Sequence, residues 1–196
     1  MDAVSRFEDF VRHQPAPPQW VPVTPYDLES RRIAEGKHPQ LILETFRPSD
    51  LLDYGCGFGS LLTLLKELDP ASAHRFTGYD PHATDERYRG LPIGPFDLVI
   101  CREVLEHCAV RDVVRVVRQL VRLSRRYVYV TTRYCQAPHH LLDFDISDGL
   151  DPTHVTMLNK DFVRTLFILE GCKSRRDLEA TMDWQQKGRC LVFEVI

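Results

Sequence analysis

The apolar positions of this chain fall into short runs separated by stretches of helical spacing. Residues 50–54, 74–80, 96–101, 126–131 and 189–195 are apolar runs of strand length. Residues 96–101 are almost continuously apolar, the pattern of a strand buried on both faces. Between the runs, Ser60–Leu68 places leucine at 61, 62, 64, 65 and 68. Residues 111–125 set Val113, Val114, Val117, Leu120 and Val121 opposite a stripe of arginines, which predicts an amphipathic helix. Residues 159–169 predict another helix, with Asn159 as its N-cap. Strands that alternate with helices predict an α/β fold built from βαβ units around a mostly parallel sheet, with helices on both faces.

The first third of the chain follows a different pattern. Pro15, Pro17, Pro18, Pro22 and Pro25 predict an irregular arm over residues 14–25, because proline lacks an amide hydrogen. Helical spacing resumes over residues 26–46 and is broken near Gly36, Lys37 and His38. The expected organisation is one structural domain, in which residues 1–46 form an arm and helices packed on a core of residues 47–196. No repeat or heptad run is present. Residues 135–156 read as a polar, irregular segment that includes His139 and His140, two solvated histidines on the plainer reading.

Composition narrows the functional classes. The chain has 196 residues, enough for one sizeable core, and is 43% hydrophobic and 27% charged. A net charge of −3 gives no bulk attraction to nucleic acid or to an anionic membrane. No apolar run is long enough to span a bilayer, and the first residues lack the apolar block of a secretory leader, so the expected location is the cytoplasm. The six cysteines form no CxxC pair, and reduced, buried thiols are expected. The arginine stripe at 111, 115, 118, 122 and 125 reads as the solvated face of a helix, since no aromatics interleave it for base stacking.

Three segments carry candidate chemistry. Asp53, Tyr54, Gly55, Cys56, Gly57, Phe58 and Gly59 link the first strand to the first long helix. Alternating glycines let the backbone turn sharply and approach a ligand, and the helix presents free amides and its positive end there. The spacing differs from the G-x-G-x-x-G of dinucleotide binders, because the third glycine comes one residue early. Asp80 closes the second strand, where a carboxylate can accept both hydroxyls of a ribose. The third segment is Phe96, Asp97, Leu98, Val99, Ile100, Cys101, Arg102, Glu103, Val104, Leu105, Glu106 and His107.

Together these segments resemble the class I methyltransferases that use S-adenosylmethionine (SAM), over approximately residues 45–135. The resemblance implies a Rossmann-like sheet and a cofactor site made by Asp53, Gly55, Cys56, Gly57, Gly59 and Asp80. Arg102 and Glu103 would line the methionine end of the cofactor. It implies a small-molecule acceptor, methylated at oxygen, between residues 103–108 and 133–156. Candidate catalytic residues are His107 and His154, as base or acceptor contact. One departure stands out: too few residues separate Asp80 from Phe96 for the family's usual helix and third strand. The sheet is therefore expected to be shortened between its second and fourth strands. The adenine contact stays open among Pro81, His82 and Leu91.

Glu103, Glu106 and His107 would share one face if helical. With His154 they resemble the metal ligands of 2′-O-methyltransferases acting on RNA 3′ ends, and the Glu-x-x-Glu-His run resembles quinone-pathway O-methyltransferases. A divalent metal at Glu103, Glu106, His107 and His154 is thus a subsidiary expectation. The alternatives to a small-molecule methyltransferase are a metal-dependent RNA-end enzyme and a non-catalytic SAM-fold binding module.

Overall fold

The computed structural model describes residues 37–132, 134–135, 156, 158–183 and 188–196. Its elements are α1 (His38–Phe46), β1 (Leu51–Tyr54), α2 (Ser60–Leu68), β2 (Phe76–Tyr79), β3 (Phe96–Arg102), α3 (Val110–Arg122) and β4 (Ser124–Thr131). They are followed by β5 (Tyr134–Cys135), β6 (Leu158–Asn159), α4 (Lys160–Leu169), β7 (Cys172–Ser174), α5 (Arg176–Met182) and β8 (Cys190–Val195). The proline-rich arm, His139, His140 and His154 lie outside the described residues.

Among the described residues, six strands form one sheet in the order β2-β1-β3-β4-β8-β7. The first four are parallel, while β8 runs antiparallel to β4 and β7 antiparallel to β8. Tyr134–Cys135 and Leu158–Asn159 make a separate parallel pair. This is the expected Rossmann-like α/β architecture, with the shortening in place: residues 80–95 are all described and contain no strand, so β2 is the sheet's edge.

Side chains alternate between two cores because successive strand residues point to opposite faces. Leu52, Val99, Val128 and Leu191 face one side, under Val113, Val117 and Leu120 of α3 and Val163 and Phe167 of α4. Leu51, Ile100, Tyr129 and Val192 face the other, under Ile42 and Phe46 of α1, Leu62 and Leu65 of α2 and Met182 of α5. Leu98, Val99, Ile100 and Cys101 are all fully buried, as the continuous apolar run of β3 predicts. Burying each such aliphatic side chain is worth about 1.5–3 kcal/mol. His38 also ties α1 to the sheet through a buried hydrogen bond, Nε2 to the Tyr129 hydroxyl, at 2.8 Å.

Asn159 caps α4 as its sequence position predicts, accepting from the amides of Asp161 and Phe162. The predicted helix over residues 111–125 ends early. Arg122 is its last residue, and Arg125 already lies in β4, where it bonds Asp50 and Asp97 at 2.8 Å each. Arg115 pairs with Asp112 and Arg118 with Glu170, consistent with a solvated helix face. The second predicted strand begins late, because residues 73–75 form a 3-10 turn. Among the described residues, no helix is long and apolar enough to cross a membrane.

Candidate functional site

Strand order reverses at β1: β2 lies on one side of it and β3 on the other. Ligands of open α/β sheets sit beyond the carboxyl ends of strands at such a switch point. The glycine segment follows β1, Asp80 follows β2 and Glu103 follows β3, so all three border this crevice.

The glycine turn is tied to β2. The amides of Gly55 and Cys56 both donate to the Tyr79 carbonyl, at 2.6 and 3.2 Å. The Gly57 amide donates to Asp80 Oδ2 at 3.1 Å, and the His82 amide to Asp80 Oδ1 at 2.8 Å. Gly55, Gly57 and Gly59 have φ of +80°, +55° and +76°, a region that penalises a Cβ. Two of these glycines also make room for protein. A Cβ on Gly55 would strike Val104 Cγ2 in the loop after β3, and one on Gly59 would lie 2.7 Å from the Tyr88 hydroxyl. Gly59 is the N-cap of α2, where no side chain caps the first amides.

Asp53 and Asp80 are buried, at 3% and 7% exposure. Both act on Cys56, whose thiol is pushed far up, first by burial and then by the charges of Asp53 and Asp80. Among the described residues Cys56, Cys101, Cys108, Cys172 and Cys190 are free thiols, all buried except the half-buried Cys108. Each Asp80 oxygen accepts one amide, which leaves each a lone pair for a further donor. The turn, the uncapped helix end and these carboxylates fit a ligand with a vicinal diol and an ammonium group, as an adenosyl-amino acid has.

On the other side of the crevice, Arg102 ends β3 and Glu103 adopts a left-handed backbone at φ +51°. In a non-glycine residue this conformation costs about 1–3 kcal/mol and tends to cluster at functional sites. Thr131 holds it: the Glu103 amide donates to the Thr131 carbonyl at 2.8 Å, and Thr131 Oγ1 donates to Glu103 Oε1 at 3.1 Å. Glu106 is fully buried and accepts from Thr132 Oγ1 at 2.6 Å through Oε2, while its Oε1 has no hydrogen-bond partner among the described residues. Burial first, then the charge of Glu103, raises the Glu106 carboxyl well above the ordinary carboxylate range. His107 is half-buried and donates its amide to the Val104 carbonyl at 3.0 Å.

The shared helical face expected for Glu103, Glu106 and His107 is not what forms. The left-handed residue at 103 is followed by a 3-10 turn, Leu105–His107, and α3 starts only at Val110, after an extended Ala109. Glu106 turns inward to Thr132 instead of into the crevice. Among the described residues no group of three or more His, Cys, Asp or Glu side chains is placed to hold a metal. His154, the remaining candidate ligand, lies outside them. Of the adenine candidates, Leu91 is 45% exposed. Sequence reasoning missed Tyr88, which packs against Gly59 and Gly78, and the pair Thr131 and Thr132. The threonines stand at the carboxyl end of a predicted strand, which was the available signal; Tyr88 carried none.

The profile of a family described as a methyltransferase domain matches residues 26–174. The chain belongs to this methyltransferase family. Solved structures share its fold. A sugar N-methyltransferase from Streptoalloteichus superposes with a TM-score of 0.59 at 16% identity, over 90% of this chain and 94% of that one. Magnesium protoporphyrin IX methyltransferase from Synechocystis, with bound S-adenosylhomocysteine (SAH), gives 0.57 at 15% identity, over 98% and 94%. A SAM-dependent methyltransferase from Archaeoglobus fulgidus gives 0.56 at 13% identity, over 87% and 100%. No curated protein matches the chain. At these identities the likeness is one of fold, and the methyltransferase's acceptor has to be argued from its own residues.

Proposed function

We propose that this methyltransferase binds SAM across the β1/β3 switch point and methylates an oxygen of a small biosynthetic acceptor. The observation that carries the reading is the hydrogen bond from the Gly57 amide to Asp80, which brings the glycine turn and the diol-binding carboxylate to one sheet edge. Asp80 takes the ribose hydroxyls, and the turn at Gly55, Cys56, Gly57 and Gly59 lies along the cofactor. Asp53, Arg102 and Glu103 border its methionine end. When bound, the cofactor supplies a methyl already activated on a sulfonium. The chain's own tasks are therefore to align the acceptor and to remove its proton. His107, beside the crevice and half-buried, is the proposed base, and His154 is the second candidate for that role or for an acceptor contact.

Calorimetric titration with SAH tests the reading. Binding in the micromolar range is expected for the unmodified protein. Gly57→Arg and Asp80→Ala should each weaken it by about tenfold or more, the effect of losing a charge-assisted hydrogen bond or blocking the turn. Absence of binding to the unmodified protein would overturn the reading.

A further inference from the structure

Asp80 stands at the end of an edge strand, and among the described residues no strand covers the outer side of β2. Open edges are commonly covered by a loop, and residues 80–89 supply one. The Asp80 amide donates to the Tyr88 carbonyl at 2.8 Å, which joins the loop's ends, and the Ala83 amide donates to the Asp80 carbonyl at 3.2 Å. Arg89 braces the loop, with Nε donating to the Ala83 carbonyl at 2.8 Å and Nη2 to that of Thr84 at 3.3 Å. Asp85 caps the 3-10 turn Glu86–Tyr88 that returns the chain to the strand. The Tyr88 ring then meets the sheet. It is half-buried and packs on the core that α1 and α2 cover. A Cβ on Gly78 would lie 2.9 Å from Tyr88 Cδ1, 2.8 Å from Cys56 Sγ and 2.9 Å from Leu62 Cδ1. A Cβ on Gly59 would lie 2.7 Å from the Tyr88 hydroxyl and 3.1 Å from its Cε2. The loop, the glycine turn and α2 thus converge on Gly78, in space that a side chain there would fill. Glycine inside a strand weakens it and marks such a close approach.

We propose that Tyr88 is the positioning residue for Asp80: its ring, seated over Gly78 and Gly59, clamps residues 80–89 to the sheet edge and so fixes the amides that aim the carboxylate. The proposal rests on the cofactor reading above for what Asp80 grips, but not for the clamp itself. Asp80 takes one amide from each side of the junction, Gly57 from the turn on Oδ2 and His82 from the loop on Oδ1. With the loop clamped, both donors stay in place, and the remaining lone pairs keep their directions before a ligand arrives. Without the ring, the loop swings about the end of β2 and the carboxylate turns with it.

Phenylalanine and leucine at 88 separate the clamp from a plain packing role. Tyr88→Phe keeps the ring; Tyr88→Leu keeps apolar bulk without it. Nitrogen-15 relaxation reads the clamp with no ligand present. In the unmodified protein and in Tyr88→Phe, the amides of Asp80 and His82 should show rigid order parameters near about 0.85. In Tyr88→Leu they should fall below about 0.6, while those of β3 and β4 stay rigid. Titration with SAH and its 2′-deoxy analogue then reads Asp80. Tyr88→Phe should keep the preference for SAH, and Tyr88→Leu should reduce it from about tenfold to about threefold or less. With Asp80→Ala already present, Tyr88→Leu should cause little further loss of SAH affinity. A loop that stays rigid in Tyr88→Leu, a loop already mobile in the unmodified protein, Tyr88→Phe behaving as Tyr88→Leu, an undiminished preference, or an undiminished leucine effect beside Asp80→Ala would each overturn the proposal. Should Tyr88→Leu not fold, Arg89→Ala loosens the same loop from an exposed position, with the same expected and contrary results. If the unmodified protein does not bind SAH, the cofactor reading falls and the order parameters alone decide the clamp.

Discussion

At the scale of single residues, the glycines of the turn and the buried Glu106 are constrained for different physical reasons. Gly55 faces both a left-handed backbone and the side chain of Val104. Gly55→Ala should therefore cost about 1–2 kcal/mol from conformation alone, plus the clash. Adding Val104→Ala should recover the clash component and not the rest, as urea unfolding would measure. Glu106 holds its proton more tightly folded than unfolded, since burial and Glu103 both raise it above the usual value of 4.5. Its contribution is fully present below that value and falls as pH rises through the neutral range, because the native state binds the extra proton. Glu106→Gln should flatten the fall in stability between about pH 5 and pH 8. An unchanged slope would mean that Glu106 is not its source. The places of Asp53, Gly57 and Asp80 at the carboxyl ends of strands could be read from the sequence, because the apolar runs that precede them mark the strands. The inward turn of Glu106 could not, because it depends on a left-handed residue three positions earlier and on Thr132 of another strand.

At the scale of elements, what could be read depended on length and on local signals. Ser60–Leu68 has the bounds its leucine spacing predicts, and α4 starts where Asn159 caps it. Asn159→Ala should lower stability by about 1 kcal/mol, seen as a lower melting temperature. Phe167 stacks on Phe193 at 4.1 Å between α4 and β8, fully buried, and Phe167→Ala should cost about 3–5 kcal/mol in the same measurement. The elements that escaped prediction are short and rely on distant partners. Strand β7 has three residues and exists through pairing with β8, and α5 has seven residues, too few for a clear period. The early end of α3 has a similar cause: Ser124 pairs with Phe96 in the sheet, which overrides the helical spacing of the arginines.

At the scale of the whole molecule, the sheet order accounts for the site. Placing β2 and β3 on opposite sides of β1 opens the crevice, and the loops that leave β1, β2 and β3 supply its walls. The absence of a strand from residues 80–95 was visible in chain length alone, because a crossover to another strand needs more residues than remain. The acceptor was not legible, since the segment expected to shape its pocket has no diagnostic chemistry. The account depends on Asp80 and the Gly57 turn gripping one adenosyl group. Titrating the unmodified protein and Asp80→Ala with SAH and with its 2′-deoxy analogue tests this directly. The unmodified protein should prefer SAH by about tenfold, and Asp80→Ala should bind both weakly and alike. Equal affinity for the two ligands in the unmodified protein, or a preference that survives in Asp80→Ala, would contradict it.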